Sequence, residues 1–278
     1  MAWLGFRLGQ MDAVVLGLEV VALLAAMRGR SALGGLAGTA GALLAPQVLW
    51  PLPLLLVAVG ARDGRWRGAV AGALAALLAL VAIPALTRPR LLPAWAGLMH
   101  RFAAGVGPAQ PDLAGLPGLV RFAPAGWRLR PGLTDPLTLA IVGAGLALLI
   151  VVVWNGWADR AWHARPPRLR VAWGIMLPLG VWILVTPYSH GMDALVLAPL
   201  ALLALGPDGA ELARPPAWLV VAAILALPQI FILTPGPGTL VVPQSLTAVA
   251  LLGLLALATA RWRRDLPAGG AGKTVASV

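Results

Sequence analysis

Apolar runs separated by short clusters of arginine, glycine and proline make up most of the chain. Crossing a hydrocarbon layer takes about 20 apolar residues, somewhat fewer where a helix is tilted or broken inside a bundle, and about eight stretches qualify. Met11 to Met27 comes first and is ended by Arg28 and Arg30. Leu33 to Gly60 is long, and Pro46, Pro51 and Pro53 each remove an amide donor and crowd the preceding turn, which predicts two shorter helices meeting near Ala45-Pro46-Gln47. Trp66 to Leu86 follows, and apolarity then lapses from Thr87 to Asp135. Pro136 to Trp154, Val171 to Val185, Asp193 to Leu205, Trp218 to Leu233 and Ser245 to Ala260 complete the set. The predicted fold class is all-α, a polytopic transmembrane helix bundle over residues 1–264 with an outer loop over 87–135 and a disordered cytoplasmic tail over 265–278.

Composition agrees with the pattern. Hydrophobic residues make up 60% of the 278 residues, charged residues 11%, and the mean hydropathy is +0.87, whereas soluble domains carry about 25% charge. The absence of cysteine excludes disulfides, thiolate metal sites and cysteine nucleophiles. Lys273 is the only lysine among 21 basic side chains, and with abundant Ala, Gly, Leu and Pro this is the bias of a GC-rich bacterial genome. The net charge of +11 does not indicate nucleic-acid binding, because the arginines fall in short clusters between apolar runs rather than along one face.

Short basic connections stay cytoplasmic. One alternating assignment puts Arg28/Arg30, Arg62/Arg65/Arg67, Arg160/Arg165/Arg168/Arg170, Arg214 and Arg261/Arg263/Arg264 all inside. Met1 to Gln10, the break at Ala45 to Gln47, Thr87 to Asp135, Thr186 to His190 and Thr234 to Gln244 are then outside. Trp66, Trp154, Trp157, Trp173, Trp218 and Trp262 lie at span ends, as interfacial indoles do. Within the outer loop, Trp95, Met99, Phe102, Leu113, Leu116, Leu119, Val120 and Phe122 predict short amphipathic helices along the membrane surface. This topology leaves Met1 outside with no signal peptide or earlier helix to carry it there, so an upstream continuation is expected.

Polar groups inside apolar spans are costly and mark candidate sites. Glu19 lies near the middle of the first span and is expected to be protonated, paired or facing a wet cavity. The densest polar cluster is Thr186-Pro187-Tyr188-Ser189-His190-Gly191-Met192-Asp193, which includes the only tyrosine of the chain. A hydroxyl, a phenol, an imidazole and a carboxylate beside a helix N-terminus suit an anionic or sugar ligand; a polar turn capped by Ser189 or Asp193 is the plainer alternative. Gln10, Asp12 and Gln47 fall on the same outer side, which predicts one shared outward-facing pocket. No Walker-type phosphate loop, metal-ligand spacing or Ser/His/Asp arrangement stands out. His100 and His163 stand alone in loops, and Pro235-Gly236-Pro237-Gly238 is a turn.

The stretch Thr186-Pro187-Tyr188-Ser189-His190-Gly191-Met192-Asp193-Ala194-Leu195 resembles a Ser-Pro-x-Ser-His-x-x-Asp-Leu segment of the polyprenyl-phosphomannose-dependent alpha-mannosyltransferases, polytopic glycosyltransferases of the GT-C class. Leu8-Gly9-Gln10, the apolar helix, Arg28-Gly29-Arg30 and Gly34-Gly35-Leu36-Ala37-Gly38 are similar to that family's Gly-Gln helix and the glycine-rich helix after it. That second helix usually ends in Lys-Pro-Gln; here it ends in Ala45-Pro46-Gln47. The resemblance runs from Leu8 to about Leu205 and corresponds to the C-terminal part of a family member.

The resemblance implies transfer of a mannose-like sugar from a polyprenyl-phosphate donor to a glycolipid or glycan acceptor on the outer face of a bacterial plasma membrane, without a cofactor or bound metal. His190 and Gln47 match family positions and are implied donor contacts, with Tyr188 and Ser189 beside them and Asp193 and Gln10 in support. The family's catalytic aspartate belongs to a first outer loop upstream of the region matched here, so the catalytic residue is expected outside this chain. Two alternatives stand beside the enzyme: an inactive or partner-dependent membrane subunit that keeps the lipid-binding half, motivated by Ala45, and a transporter, for which a broken helix is present but no second copy of it.

Overall fold

The computed structural model describes residues 12–61, 63–90, 93–94, 96–97, 116–117, 120, 131–158, 170–186 and 253. These residues are helical and turn structure, with no strand among them, so the all-α class holds. The helices are α1 (Asp12–Met27), α2 (Ser31–Leu44), α3 (Pro46–Leu49), α4 (Pro51–Gly60) and α5 (Trp66–Leu77). A π turn (Leu78–Ala82) carries α5 into α6 (Ile83–Thr87); α7 (Pro131–Ala158) follows, and a second π turn (Ala172–Met176) leads into α8 (Leu177–Val185). The segments expected over 193–205 and 218–233, that over 245–260 apart from Gly253, most of the 87–135 loop, and the 265–278 tail lie outside the described residues.

Each break has a local cause. Helix α1 ends in a Schellman motif: Gly29 adopts φ 72°, its N–H donates to Ala26 O at 3.2 Å, and the Arg30 N–H reaches back to Ala25 O at 2.8 Å. A residue preceding proline is pushed out of the helical region, and Ala45, just before Pro46, sits at φ −133° and ψ 66°. Its own N–H still donates to Gly41 O at 2.9 Å, so α2 closes cleanly before the chain bends. Pro51 and Pro53 then open α4, where missing amides cost least. Both π turns lie just upstream of a proline, Pro84 and Pro178, whose absent N–H and bulky ring interrupt the regular ladder. Helix α7 starts at Pro131, five residues before the expected Pro136, because proline suits the first helical position and the helix continues through Pro136.

Small residues set the spacing of the first four helices. A Cβ on Gly35 of α2 would run into the Ala69 backbone of α5, and a Cβ on Gly72 of α5 would run into the Ala32 carbonyl of α2. Gly68 lies against Ser31 in the same row. The two helices start side by side, Gly29 against Arg65 and Ser31 against Gly68, and Gly72, one turn on, reaches Leu36 N, so α2 and α5 run parallel with their backbones in contact. On another side of α2, Gly34 meets Ala22 and Ala25 of α1, and Gly41 meets Leu18, which makes α1 and α2 antiparallel. Close approach through small residues is the usual packing device where lipid removes any hydrophobic drive between helices.

The largest fully buried side chains are Leu49, Leu52 and Leu55 on α3 and α4, and Ile175, Met176, Leu179 and Ile183 on the α8 arm. They join Val15, Ala22 and Leu23 of α1 and Leu149 of α7 in one cluster, with Leu116 packed against it. Helix α4 thus fills the centre. Leu86 is 81% exposed, Leu139 72% and Ile150 67%. Among the described residues, the continuous helix Trp66–Thr87, 22 residues long, is the one long and apolar enough to cross a membrane, and only 17% of its most apolar stretch is buried. The other apolar helices, Ala13–Met27, Ser31–Leu44, Pro51–Gly60, Pro136–Val151 and Gly174–Val185, are shorter.

Two glycine substitutions separate packing from propensity. Gly35→Ala must force α2 from α5 and is expected to cost about 1–3 kcal/mol. Gly17→Ala, which meets nothing within 4 Å, is expected to gain about 0.5–1 kcal/mol from helix propensity. Thermal unfolding of the purified variants checks both; equal melting temperatures would remove the close-packed contact from the account.

Candidate functional site

The antiparallel pairing of α1 and α2 brings the amino end of α1, where Asp12 begins the helix, to the bend at Ala45. Val15 packs in the same cluster as Ala45, Val48 and Leu49. Helix α3, which carries Gln47, contacts α8. Trp50 meets Trp182 edge to face, with ring centroids 5.1 Å apart and planes at 84°. At the end of α8 the chain turns extended at Thr186, whose N–H donates to Trp182 O at 2.8 Å and which is buried. The α1 start, the Ala45 bend and Thr186, the first residue of the polar segment, therefore share one end of the bundle. Of the predicted site residues, Gln47 lies in α3; Gln10, Tyr188, Ser189, His190 and Asp193 lie outside the described residues, as do His100 and His163.

Ala45, the residue that stands where the resembled family has lysine, is 8% exposed and part of the apolar cluster. It therefore supplies apolar packing at the bend and no charge. Among the described residues no group of three or more His, Cys, Asp or Glu side chains is placed to hold a metal ion.

Between the two ends of the bundle sits Glu19. It is fully buried on the inward face of α1, one turn from Val15 and less than one from Ala22. Neither carboxyl oxygen has a hydrogen-bond partner, and the buried Thr39 Oγ1 of α2 also lacks one. The sequence allows a protonated carboxyl, a paired one or one facing a wet cavity; the described residues supply no partner.

At the opposite end, three stretches distant in sequence form one open cleft. Its wall includes Gly29 and Ser31, Gly60, Asp63 and Arg65, and Arg170. Arg170 Nη1 donates to Asp63 Oδ2 at 2.6 Å across 107 positions of sequence, with side-chain exposures of 8% and 27%. Arg170 Nε is buried without a partner. Sequence reasoning treated these arginines as topological markers and missed the pair. Its signal was Asp63, a lone acid inside the Arg62 to Arg67 turn.

No family model, curated protein or solved structure matches the chain.

An unpartnered buried carboxyl opposes folding, since each buried polar group left without a partner costs about 1–3 kcal/mol. Glu19→Met, close in volume, is expected to raise stability by an amount in that range of about 1–3 kcal/mol. A comparable loss in chemical denaturation would mean that the carboxyl is engaged in the folded protein.

Proposed function

We propose that this chain is a polytopic membrane protein that carries the donor-binding half of a GT-C-type glycosyltransferase, an enzyme that moves a mannose-like sugar from a polyprenyl phosphate to a glycolipid or glycan on the outer face of a bacterial plasma membrane. The observation that carries this reading is the meeting of α3, which bears Gln47, with α8, which leads directly into the segment Thr186 to Asp193. Gln47's helix and Thr186, about 140 positions apart in sequence, thereby share one end of one bundle, which supports the reading. The membrane setting is supported by the 22-residue apolar helix, little of which is buried, and by exposed leucines and isoleucines on α5, α6 and α7. The expectation of about eight spans extends this support to the whole chain.

In such a transfer the acceptor hydroxyl oxygen attacks the anomeric carbon, its proton passes to a general base, and the bond from that carbon to the phosphate oxygen breaks, releasing the lipid phosphate. His190 and Gln47 would hold the donor phosphate or sugar, with Tyr188 and Ser189 beside them and Asp193 and Gln10 in support. No residue of this chain is assigned as the base. A second reading has its own observation: Ala45, buried and apolar where the resembled family has a cation, weakens charge complementarity to the donor and favours a subunit that binds the lipid without turning it over.

The lack of native cysteine makes topology directly measurable. Single cysteines at Arg65 and Ser189 are expected to react with a membrane-impermeant maleimide from opposite sides of sealed vesicles; labelling from the same side overturns the arrangement. In proteoliposomes supplied with polyprenyl-phosphate mannose and a glycolipid acceptor, the protein is expected to transfer labelled mannose, and His190→Ala to slow transfer at least about a hundredfold. Donor binding without transfer selects the second reading, and neither binding nor transfer overturns both.

A further inference from the structure

The cleft at the basic end lies away from the bend at Ala45 and from Thr186, and nothing in the proposed transfer uses it. Four features converge there. Helices α2 and α5 run parallel and begin side by side, Gly68 of one lying against Ser31 of the other. Neither start has a side-chain cap: the residues at the cap positions, Arg30 and Arg65, make no capping hydrogen bond. First-turn amides and the positive ends of two helix dipoles therefore face the same region, where they favour an anion.

The second feature is Arg65, which lines the cleft, with its guanidinium carbons and nitrogens 3.2 to 3.4 Å from where a Gly29 Cβ would stand. It makes no ion pair among the described residues. Glycine at position 29 leaves room for that planar group beside the turn. Third, Arg170 is more than nine-tenths buried in the cleft wall; Asp63 takes its Nη1, and its Nε donor has no partner. A buried guanidinium with a donor unused among the described residues, in the wall of a cleft, favours an oxyanion there. Fourth, the charges lining the cleft, Arg65 and Arg170 against Asp63, leave a positive excess.

We infer that this cleft is a phosphate-binding site, in which Arg65 and Arg170 meet phosphate oxygens beside the amino ends of α2 and α5. Guanidinium groups and helix amino ends are the protein groups best matched to a tetrahedral oxyanion. The phosphate can come from a lipid headgroup or from solution. Trp66, 39% exposed at the start of the one membrane-length helix, marks headgroup depth and favours the lipid. The anion site rests on the cleft alone; only the lipid source rests on the membrane reading, and a failure of sugar transfer would leave the site standing.

The test uses the full chain purified in a neutral detergent after passage through nanodiscs of phosphatidylglycerol and phosphatidylcholine, with retained lipid counted by native mass spectrometry. The wild type is expected to keep the anionic lipid about tenfold in preference to the zwitterionic one. Arg65→Gln, at an exposed side chain, is expected to abolish that preference, and so is Arg170→Lys, which keeps a cation for Asp63 but lacks the second donor. Arg88→Gln, beyond the far end of α6, should leave it unchanged. In a parallel arm, titration with inorganic phosphate against lipid-free protein reports binding from solution. Saturable phosphate binding that depends on Arg65 and Arg170, without lipid preference, assigns the site to free phosphate. Equal effects of Arg65→Gln and Arg88→Gln, or no dependence on either cleft arginine in both arms, overturn the inference.

Discussion

The backbones of α2 and α5 touch. Where Gly35 faces Ala69 and Gly72 faces Ala32, even one methyl group would force the helices apart. In a lipid surrounding, such contact replaces the hydrophobic drive that packs soluble helices, because dispersion contacts and weak polar attractions grow as two backbones close. Fixing α2 and α5 parallel and in register also fixes what lies at their ends. Their amino ends must start together beside the basic turns. Helix α4, returning against both, must then fill the space with Leu52 and Leu55 and deliver the chain to the Arg65 turn.

Polarity is distributed to suit that arrangement. The described stretch between the two ends is apolar save for a few groups, of which Glu19 and Thr39 are buried without partners. Charge is concentrated where the helices begin and end, and the ion pair of Asp63 with Arg170, distant in sequence, ties the second basic turn to the arm that ends at Thr186. A single rod, from Arg170 through the second π turn to Val185, thus has one foot in the phosphate cleft and the other beside Trp50 and the bend at Ala45. The two proposed sites are physically joined by it, and packed elements of this kind transmit displacement rather than absorb it.

Prolines and arginines made much of this legible beforehand. Pro46 announced the bend because the preceding residue loses access to helical geometry, and Ala45 shows that loss directly. Arg28 and Arg30 marked the end of α1, although the Schellman closure around Gly29 required coordinates to see. The small-residue rows were written in the sequence, Ser31, Gly35 and Thr39 on one helix and Gly68, Gly72 and Ala76 on the other, each spaced by four. Such spacing marks a face for close approach without naming the helix that meets it. The Asp63–Arg170 pair was beyond reach, since hydropathy orders segments along a line and carries no information on which turns become neighbours. For the candidate site, the common end of Gln47 and Thr186 followed from counting alternations, whereas the edge-to-face contact of Trp50 with Trp182 depends on helix rotation, which no count supplies.

The π turn at Leu78–Ala82 also changes what the long helix can do. One extra residue in a turn advances the angular phase of everything after it by about 100° relative to an unbroken helix. Below the turn, Ala69, Gly72 and Ala76 are buried; within it and above it, from Leu78 to Thr87, no residue is. The phase slip therefore coincides with the point where the helix parts from its neighbours. Its lower half is clamped, and its upper half has no buried residue, the Thr87 hydroxyl turning back on Ile83 O of its own helix at 2.9 Å. Lateral forces applied near Leu86, by a thicker bilayer or a passing acyl chain, would bend the molecule at Leu78 and leave the glycine seam closed.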